Sequence, residues 1–238
     1  MVNLNPHVSV DCVVFGFDSK RIKVLLIEKE KIEDGTNAHS LKLPGSLILE
    51  NEGLDASAYR TLKELTGLDH IFLKQFHVFG SPDRLTPSED LHWLTVTSKT
   101  HVERVVTVAY YSLIKLHEST LTNKTIWLPV DELPPLVFDH NLIVQKAQET
   151  LQKEFRTEPV CFELLPQKFT IREMQNIYEA ILGRPLDNRN FRKKIIPLKF
   201  VVNIEEKEKG VSHKPAILYR FDKKLYAKHR KEIYGFNL

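Results

Sequence analysis

Residues 44–68 constrain the fold more than any other stretch. They read Pro-Gly-Ser-Leu-Ile-Leu-Glu-Asn-Glu-Gly-Leu-Asp-Ala-Ser-Ala-Tyr-Arg-Thr-Leu-Lys-Glu-Leu-Thr-Gly-Leu. Residues 41–49 are strand-like, with a break at Pro44-Gly45. Asp55 is placed to cap a helix along which Ala58, Leu62 and Leu65 recur at helical spacing, and Gly67 is a natural stop. Glu52, Arg60 and Glu64 sit where they can tie the incoming loop to that helix. On their own they read as a loop–helix ion pair plus a solvated helix face. An amphipathic helix needs a sheet to cover.

The flanking chain supplies one. Residues 8–17 and 22–27 are apolar and β-branched around a turn at Asp18-Ser19-Lys20, which predicts a hairpin. Residues 31–40 read as a polar loop, residues 71–79 and 105–114 as strands, and residues 81–104 as a polar connection between those strands. Residues 127–130 suggest one more short strand. A helix over about 141–155 follows, with Leu142, Ile143, Ala147 and Leu151 inward, and Thr157-Glu158-Pro159 ends it.

Past that break the pattern changes. Thr170-Ile171-Arg172-Glu173 is a capping box opening a helix with Met174, Ile177, Tyr178 and Ile181 on one face, ended by Gly183-Arg184-Pro185. Asp187 caps a second helix, residues 188–196, and two strands at 199–204 and 216–221 flank a charged turn. Helix, short turn, basic helix, hairpin is the order of a winged helix-turn-helix. Charge divides at the same place. Residues 1–159 carry 17 basic and 22 acidic side chains, whereas residues 160–238 carry 17 and 9. A basic segment joined to an acidic one points to a polyanion-binding module; chance patterning of a solvated surface is the alternative. The division predicts domains at 1–157 and 158–238.

On the second helix, Phe191 and Ile195 should face the core, leaving Asn188, Arg189, Arg192, Lys193 and Lys194 outward, a set suited to bases and phosphates. Lys209, His213 and Lys214 fall on the wing, within reach of backbone or minor groove. Solubilising charge on a protein-binding winged helix is the competing reading. No apolar run approaches the ~20 residues that span a bilayer, and Cys12 and Cys161 read as reduced core thiols, so a cytoplasmic protein without a membrane partner is expected.

The stretch at 44–68 resembles the Nudix box, G-x5-E-x7-R-E-U-x-E-E-x-G-U with U aliphatic. Glu52, Arg60, Leu62, Glu64, Gly67 and Leu68 hold the register. Ser46 replaces the first Gly, Thr61 a Glu, and Leu65 another Glu. In the family the glutamates matching positions 61, 64 and 65 hold divalent cations that activate water on a diphosphate. Only Glu64 remains, so the resemblance implies a scaffold without catalytic residues, metal site or cofactor. Gly45, Glu52, Arg60 and Glu64 persist as its structural remnant. With the basic winged helix, the whole chain resembles bacterial Nudix-related transcriptional regulators. That implies an α+β architecture, an α/β/α effector-binding and dimerisation domain followed by a winged helix. It also implies a homodimer on a palindromic double-stranded DNA operator, a small-molecule effector, and usually repression.

Family effectors include ADP-ribose-like nucleotides, in regulators of NAD metabolism, and pentoses such as arabinose, in regulators of sugar catabolism. Loss of the metal carboxylates makes a diphosphate less natural, so a pentose is the expectation. Asp11, Lys42, His77, Asp83, Arg84 and Tyr110 flank predicted strands and are candidates for the effector pocket, each with a surface ion pair or a satisfied core group as its plainer reading. Two other functions stay open: a metal-dependent Nudix hydrolase of nucleoside diphosphate derivatives, and a protein-binding adaptor.

Overall fold

The computed structural model describes residues 3–29, 40–85, 88–116, 125–155, 161–212 and 214–229. The chain divides into two compact units, Met1–Asp18 with Ile22–Gln148, and Ser19–Arg21 with Glu149–Leu238. The boundary expected at 157/158 lies outside the described residues, as do the loop at 31–39 and the tail from 230 onward.

In the first unit the strands are β1 (Leu4–Phe17), β2 (Ile22–Glu28), β3 (Leu41–Lys42), β4 (Gly45–Leu49), β5 (Lys74–Phe79), β6 (Val106–Lys115) and β7 (Ile126–Pro129). Strand β1 is the spine. It runs parallel to β6 from Val8↔Val106 to Phe17↔Lys115. On its other side it pairs antiparallel with β4 through Ser9↔Leu47 and Asp11↔Gly45, then with β2 through Phe15↔Val24. Covered on both faces, it is buried without a break from Ser9 to Phe17. Strand β2 pairs with β7 and β3, and β5 pairs with β6 at the far side.

Helix α1 (Leu54–Thr66) packs Ala58 and Leu62 against Val10, Cys12 and Val14 of β1, with Val108 and Tyr110 of β6. By strand alternation, the odd-numbered Ser9 and Asp11 point elsewhere. The helix is capped by Gly53 and not by Asp55. Asp55 lies in the first turn, where its carboxylate accepts the Tyr110 hydroxyl at 2.6 Å.

The polar connection expected between β5 and β6 is instead a 3-10 turn, Pro82–Leu85, and a helix, α2 (Ser88–Ser98). Glu89 and Asp90 suit its positive N-terminal end, and Leu91 and Leu94 pack on Leu47, Leu85, Val102 and Val105. The β-branched content of Leu-Thr-Val-Thr hides this helix in the sequence. Helix α3 (His140–Glu154) follows, burying Ile143, Val144, Ala147 and Leu151. Leu142, expected inward, is 54% exposed, because the buried stripe passes through 143, 144, 147 and 151.

In the second unit, residues from Glu149 on complete α3. Then come α4 (Cys161–Leu164), β8 (Phe169–Thr170), α5 (Ile171–Leu182), α6 (Asn188–Ile195), β9 (Val201–Lys207), β10 (Ile217–Phe221) and α7 (Lys223–His229). The strands form an antiparallel sheet in the order β8-β10-β9. The Thr170/Glu173 capping box is complete, and Gly183 ends α5 at φ 66°, where a side chain would be strained. Asp187 accepts the Asn190 N–H and caps α6. Phe162 stacks on Phe221 at 3.9 Å, and Phe200 and Tyr226 pack edge-on around them.

Candidate functional site

The box keeps its structural half. The Arg60 guanidinium donates to both Glu52 oxygens, at 2.8 Å from Nε and 2.7 Å from Nη2, and reaches Ser57 Oγ and Glu64 Oε2. These hydrogen bonds hold the Glu52 carboxyl below its ordinary range and raise Arg60. The face that would hold cations is different. Thr61 is fully buried and its hydroxyl has no partner among the described residues, Leu65 is aliphatic, and the Glu64 side chain is 60% exposed against Arg60. One carboxylate engaged by an arginine does not fit a divalent-cation cluster. Among the described residues no group of three or more His, Cys, Asp or Glu is arranged to hold a metal.

That same face, Thr61, Glu64 and Leu65, lines a cavity of about 650 Å³ with Asp11, Lys42, Arg84, Trp93, Phe138 and His140. The polar wall is a buried network. Asp11 Oδ2 accepts the Thr107 hydroxyl at 2.7 Å, and Thr107 in turn accepts from Ser9 Oγ. Asp11 Oδ1 lies 3.5 Å from His140 Nε2. The Leu43 N–H donates to His140 Nδ1 at 3.0 Å, so the ring proton belongs on Nε2, toward Asp11. Arg84 grips Asp139 through Nε and Nη2 at 3.2 and 2.9 Å. Burial alone raises the Asp11 carboxyl, but the His140 ring, the Arg84 guanidinium and the Thr107 hydroxyl outweigh it and hold the group well below the carboxylate range. Gly45 is required beside it, since a Cβ there would stand 1.9 Å from Asp11 Oδ1 and 2.9 Å from the Val10 carbonyl.

Of the six pocket candidates, Asp11, Lys42 and Arg84 line the cavity and the other three do not. His77 is exposed on β5 with its ring against Phe79, and Asp83 is exposed on the 3-10 turn. Tyr110 faces α1, where burial and the Asp55 hydrogen bond push its hydroxyl up. Strand register decides this, and register is not readable from one strand's sequence. Thr61, Trp93 and His140 were missed. Trp93 was hidden with α2. The Asp-His pair just ahead of α3 was the one available signal for His140. Lys29 and Lys42 both lie over the Trp93 ring, at 5.1 and 5.6 Å from its centroid, and Lys29 pairs with Asp90 at 2.9 Å.

The second surface is α6. Phe191 and Ile195 are buried, and Asn188, Arg189, Arg192, Lys193 and Lys194 are all exposed, as are Lys209 and Lys214 between β9 and β10. His213 lies outside the described residues. Cys12 is buried and free, with its thiol pushed up by burial and by the Asp11 charge; the side chain of Cys161 is outside the described set. No helix among the described residues is long and apolar enough to cross a membrane.

A sheet packed by helices beside a cavity with buried charged side chains, followed by a winged helix with a basic second helix, is the build of a DNA-binding transcription regulator. Known proteins agree. Residues 161–221 match the model of the NrtR DNA-binding winged helix domain. A protein of Acinetobacter baylyi described as the ADPR responsive transcriptional repressor NtrR is 30% identical over 225 residues, 91% of this chain and 82% of that one. The fold resembles the NrtR of Shewanella oneidensis solved with a 27mer DNA (TM-score 0.67, 23% identity, 92% of this chain and 95% of that one). It also resembles a MutT/nudix family protein from Enterococcus faecalis (TM-score 0.60, 24% identity, 92% and 87%). The chain belongs to the NrtR-type transcriptional regulators, DNA-binding repressors with a Nudix-fold domain and a C-terminal winged helix.

Proposed function

We propose that this repressor binds an ADP-ribose-like nucleotide in the Nudix-fold cavity and does not hydrolyse it. The observation that carries the reading is the box face. Its cation-holding positions are Thr61 and Leu65, yet it still lines a cavity of about 650 Å³ in which Lys42 and Arg84 are buried. That volume suits a dinucleotide-sized ligand, whereas a pentose would leave most of it empty. The pentose preference drawn from the sequence is therefore corrected. Loss of the metal carboxylates removes one way of neutralising a diphosphate, but the tertiary fold brings two basic side chains to the same cavity. The relative's description as ADPR responsive supports the same effector.

On the DNA side, Asn188, Arg189, Arg192 and Lys193 read the major groove, while Lys194, Lys209, His213 and Lys214 contact the backbone or minor groove. A homodimer on a palindromic operator, in the cytoplasm, completes the proposal. Two winged helices spaced by one turn or a multiple would make DNA affinity sensitive to a modest change in the effector domains.

The test selects bound fragments from sheared genomic DNA of the source organism with the purified protein, then measures affinity for the enriched site with and without ADP-ribose. A palindrome whose affinity shifts with ADP-ribose, with no magnesium-dependent turnover of that nucleotide, is expected. Magnesium-dependent hydrolysis abolished by Glu64→Gln would restore the enzyme reading. Absence of an enriched site would favour the adaptor.

A further inference from the structure

Arg84 stands between the cavity and the start of α3. Its Nε and Nη2 are both committed to Asp139, at 3.2 and 2.9 Å, and Nη2 also lies 3.6 Å from Asp11 Oδ2. A guanidinium has five N–H donors in a planar fork. The two on Nη1 make no hydrogen bond to another described residue. They are not sealed off either, because the buried side-chain polar atoms without a partner among the described residues are Thr61 Oγ1, Trp127 Nε1 and Gln175 Oε1. The side chain lines the cavity while being almost wholly buried, so its charge acts in a low-dielectric setting.

We infer that Arg84 is the anion contact of the effector site, donating from Nη1 to a phosphate oxygen while its other edge stays clamped on Asp139. This rests on the nucleotide-diphosphate reading of the cavity. Lys42, the other buried cation, donates to the Gly45 carbonyl at 3.2 Å; as a point charge it adds attraction but no fork geometry. Asp139 is then a positioning residue. Its carboxylate orients the guanidinium, and its backbone carbonyl accepts the Ile143 N–H of α3 at 3.0 Å. An anion drawing on Arg84 is thereby sensed at the first turn of α3. The far end of that helix is packed within the second unit. There Gln152 Nε2 donates to the Ile181 carbonyl at 3.0 Å, and Phe155 meets Tyr178 at 4.4 Å. Tyr178 meets Phe191, the buried anchor of α6, at 5.2 Å.

The experiment uses the full-length protein with ADP-ribose as the probe. Calorimetry gives nucleotide affinity, and operator binding with and without the nucleotide gives the coupling ratio. Arg84→Gln should weaken ADP-ribose binding about ten- to a hundredfold, the loss of a charged hydrogen-bond donor. Operator affinity without nucleotide, measured for each variant, is the reference from which its coupling ratio is taken. Arg84→Lys, which keeps the charge without the fork, should fall between. Asp139→Asn should keep most of the nucleotide affinity, and the coupling ratio should move toward one. Thermal unfolding checks each variant, and if Arg84→Gln does not fold, Arg84→Lys and Asp139→Asn decide. Wild-type nucleotide affinity in the Arg84 variants, or an unchanged coupling ratio in Asp139→Asn, overturns the inference. Failure of the wild type to bind ADP-ribose at all would overturn the effector reading instead.

Discussion

The two units handle charge in opposite ways. In the first, Asp11, Arg84 and His140 are buried and Asp139 is half-buried, and they are matched across β1, the 3-10 turn and the start of α3. In the second, the cations of α6 and of the β9–β10 turn are exposed, and the adjoining acidic residue, Asp187, spends its carboxylate on the helix cap. A buried charge is costly unless its partners are in place, so the first arrangement is specific and intolerant of change. An exposed, like-signed set contributes little to folding and is kept for a polyanion that is not part of the chain.

Removing a member of the network breaks that contrast most severely. Asp11→Ala takes the acceptor from the Thr107 hydroxyl and the carboxylate facing His140 and Arg84, and is expected to cost about 3–5 kcal/mol in urea-induced unfolding. Because the Asp11 carboxyl is held below its ordinary value, its contribution is complete above about pH 4, the unfolded value, and is lost as pH falls further. Asp11→Asn should flatten that part of the acid-unfolding curve; an unchanged slope would show that other carboxylates set it.

The opposite signature is expected on α6. Arg189→Ala with Arg192→Ala should weaken operator binding by about 2–4 kcal/mol if each reads a base or phosphate. Stability should stay within about 0.5 kcal/mol of wild type, as for other exposed sites. Wild-type affinity should also fall steeply with salt, by close to one log unit per log unit of salt for each phosphate neutralised. A flat response would remove the phosphate contacts from the account.

Smaller effects sharpen the picture. Gly45→Ala, which drives a methyl group into the Asp11 carboxylate, should cost about 1–3 kcal/mol by overpacking. Thr170→Ala, which removes half of the α5 capping box, should cost about 1 kcal/mol. Glu64→Gln touches only an exposed ion pair, and should change stability by less than about 0.5 kcal/mol. A large loss there would mean that Glu64 holds more than Arg60.

Much of the fold was legible because it rests on local signals. The capping box at Thr170, the stop at Gly183, the cap at Asp187 and the stripe of Met174, Ile177 and Ile181 each specify their helix without distant help. Helix α2 was not legible. Its central residues have weak helix preference, and it forms because Leu91 and Leu94 find a surface made by β4, the 3-10 turn and the chain ahead of β6, while Trp93 packs on Phe138. The Asp55 cap failed for a related reason, since the Tyr110 hydroxyl, distant in sequence, takes its carboxylate.

The sequence by itself determined the two-part organisation, the basic face of α6, the Glu52–Arg60 tie and the loss of carboxylates at positions 61 and 65. All are questions of residue type at short spacing, which helix and strand periods settle locally. Only the tertiary structure decided which polar residues share a cavity. Asp11, Lys42, Arg84 and His140 come from four separate segments, and His77, Asp83 and Tyr110 fall away from them. Strand register and helix placement assign each side chain to one face or the other, and a single-residue slip would exchange the two sets.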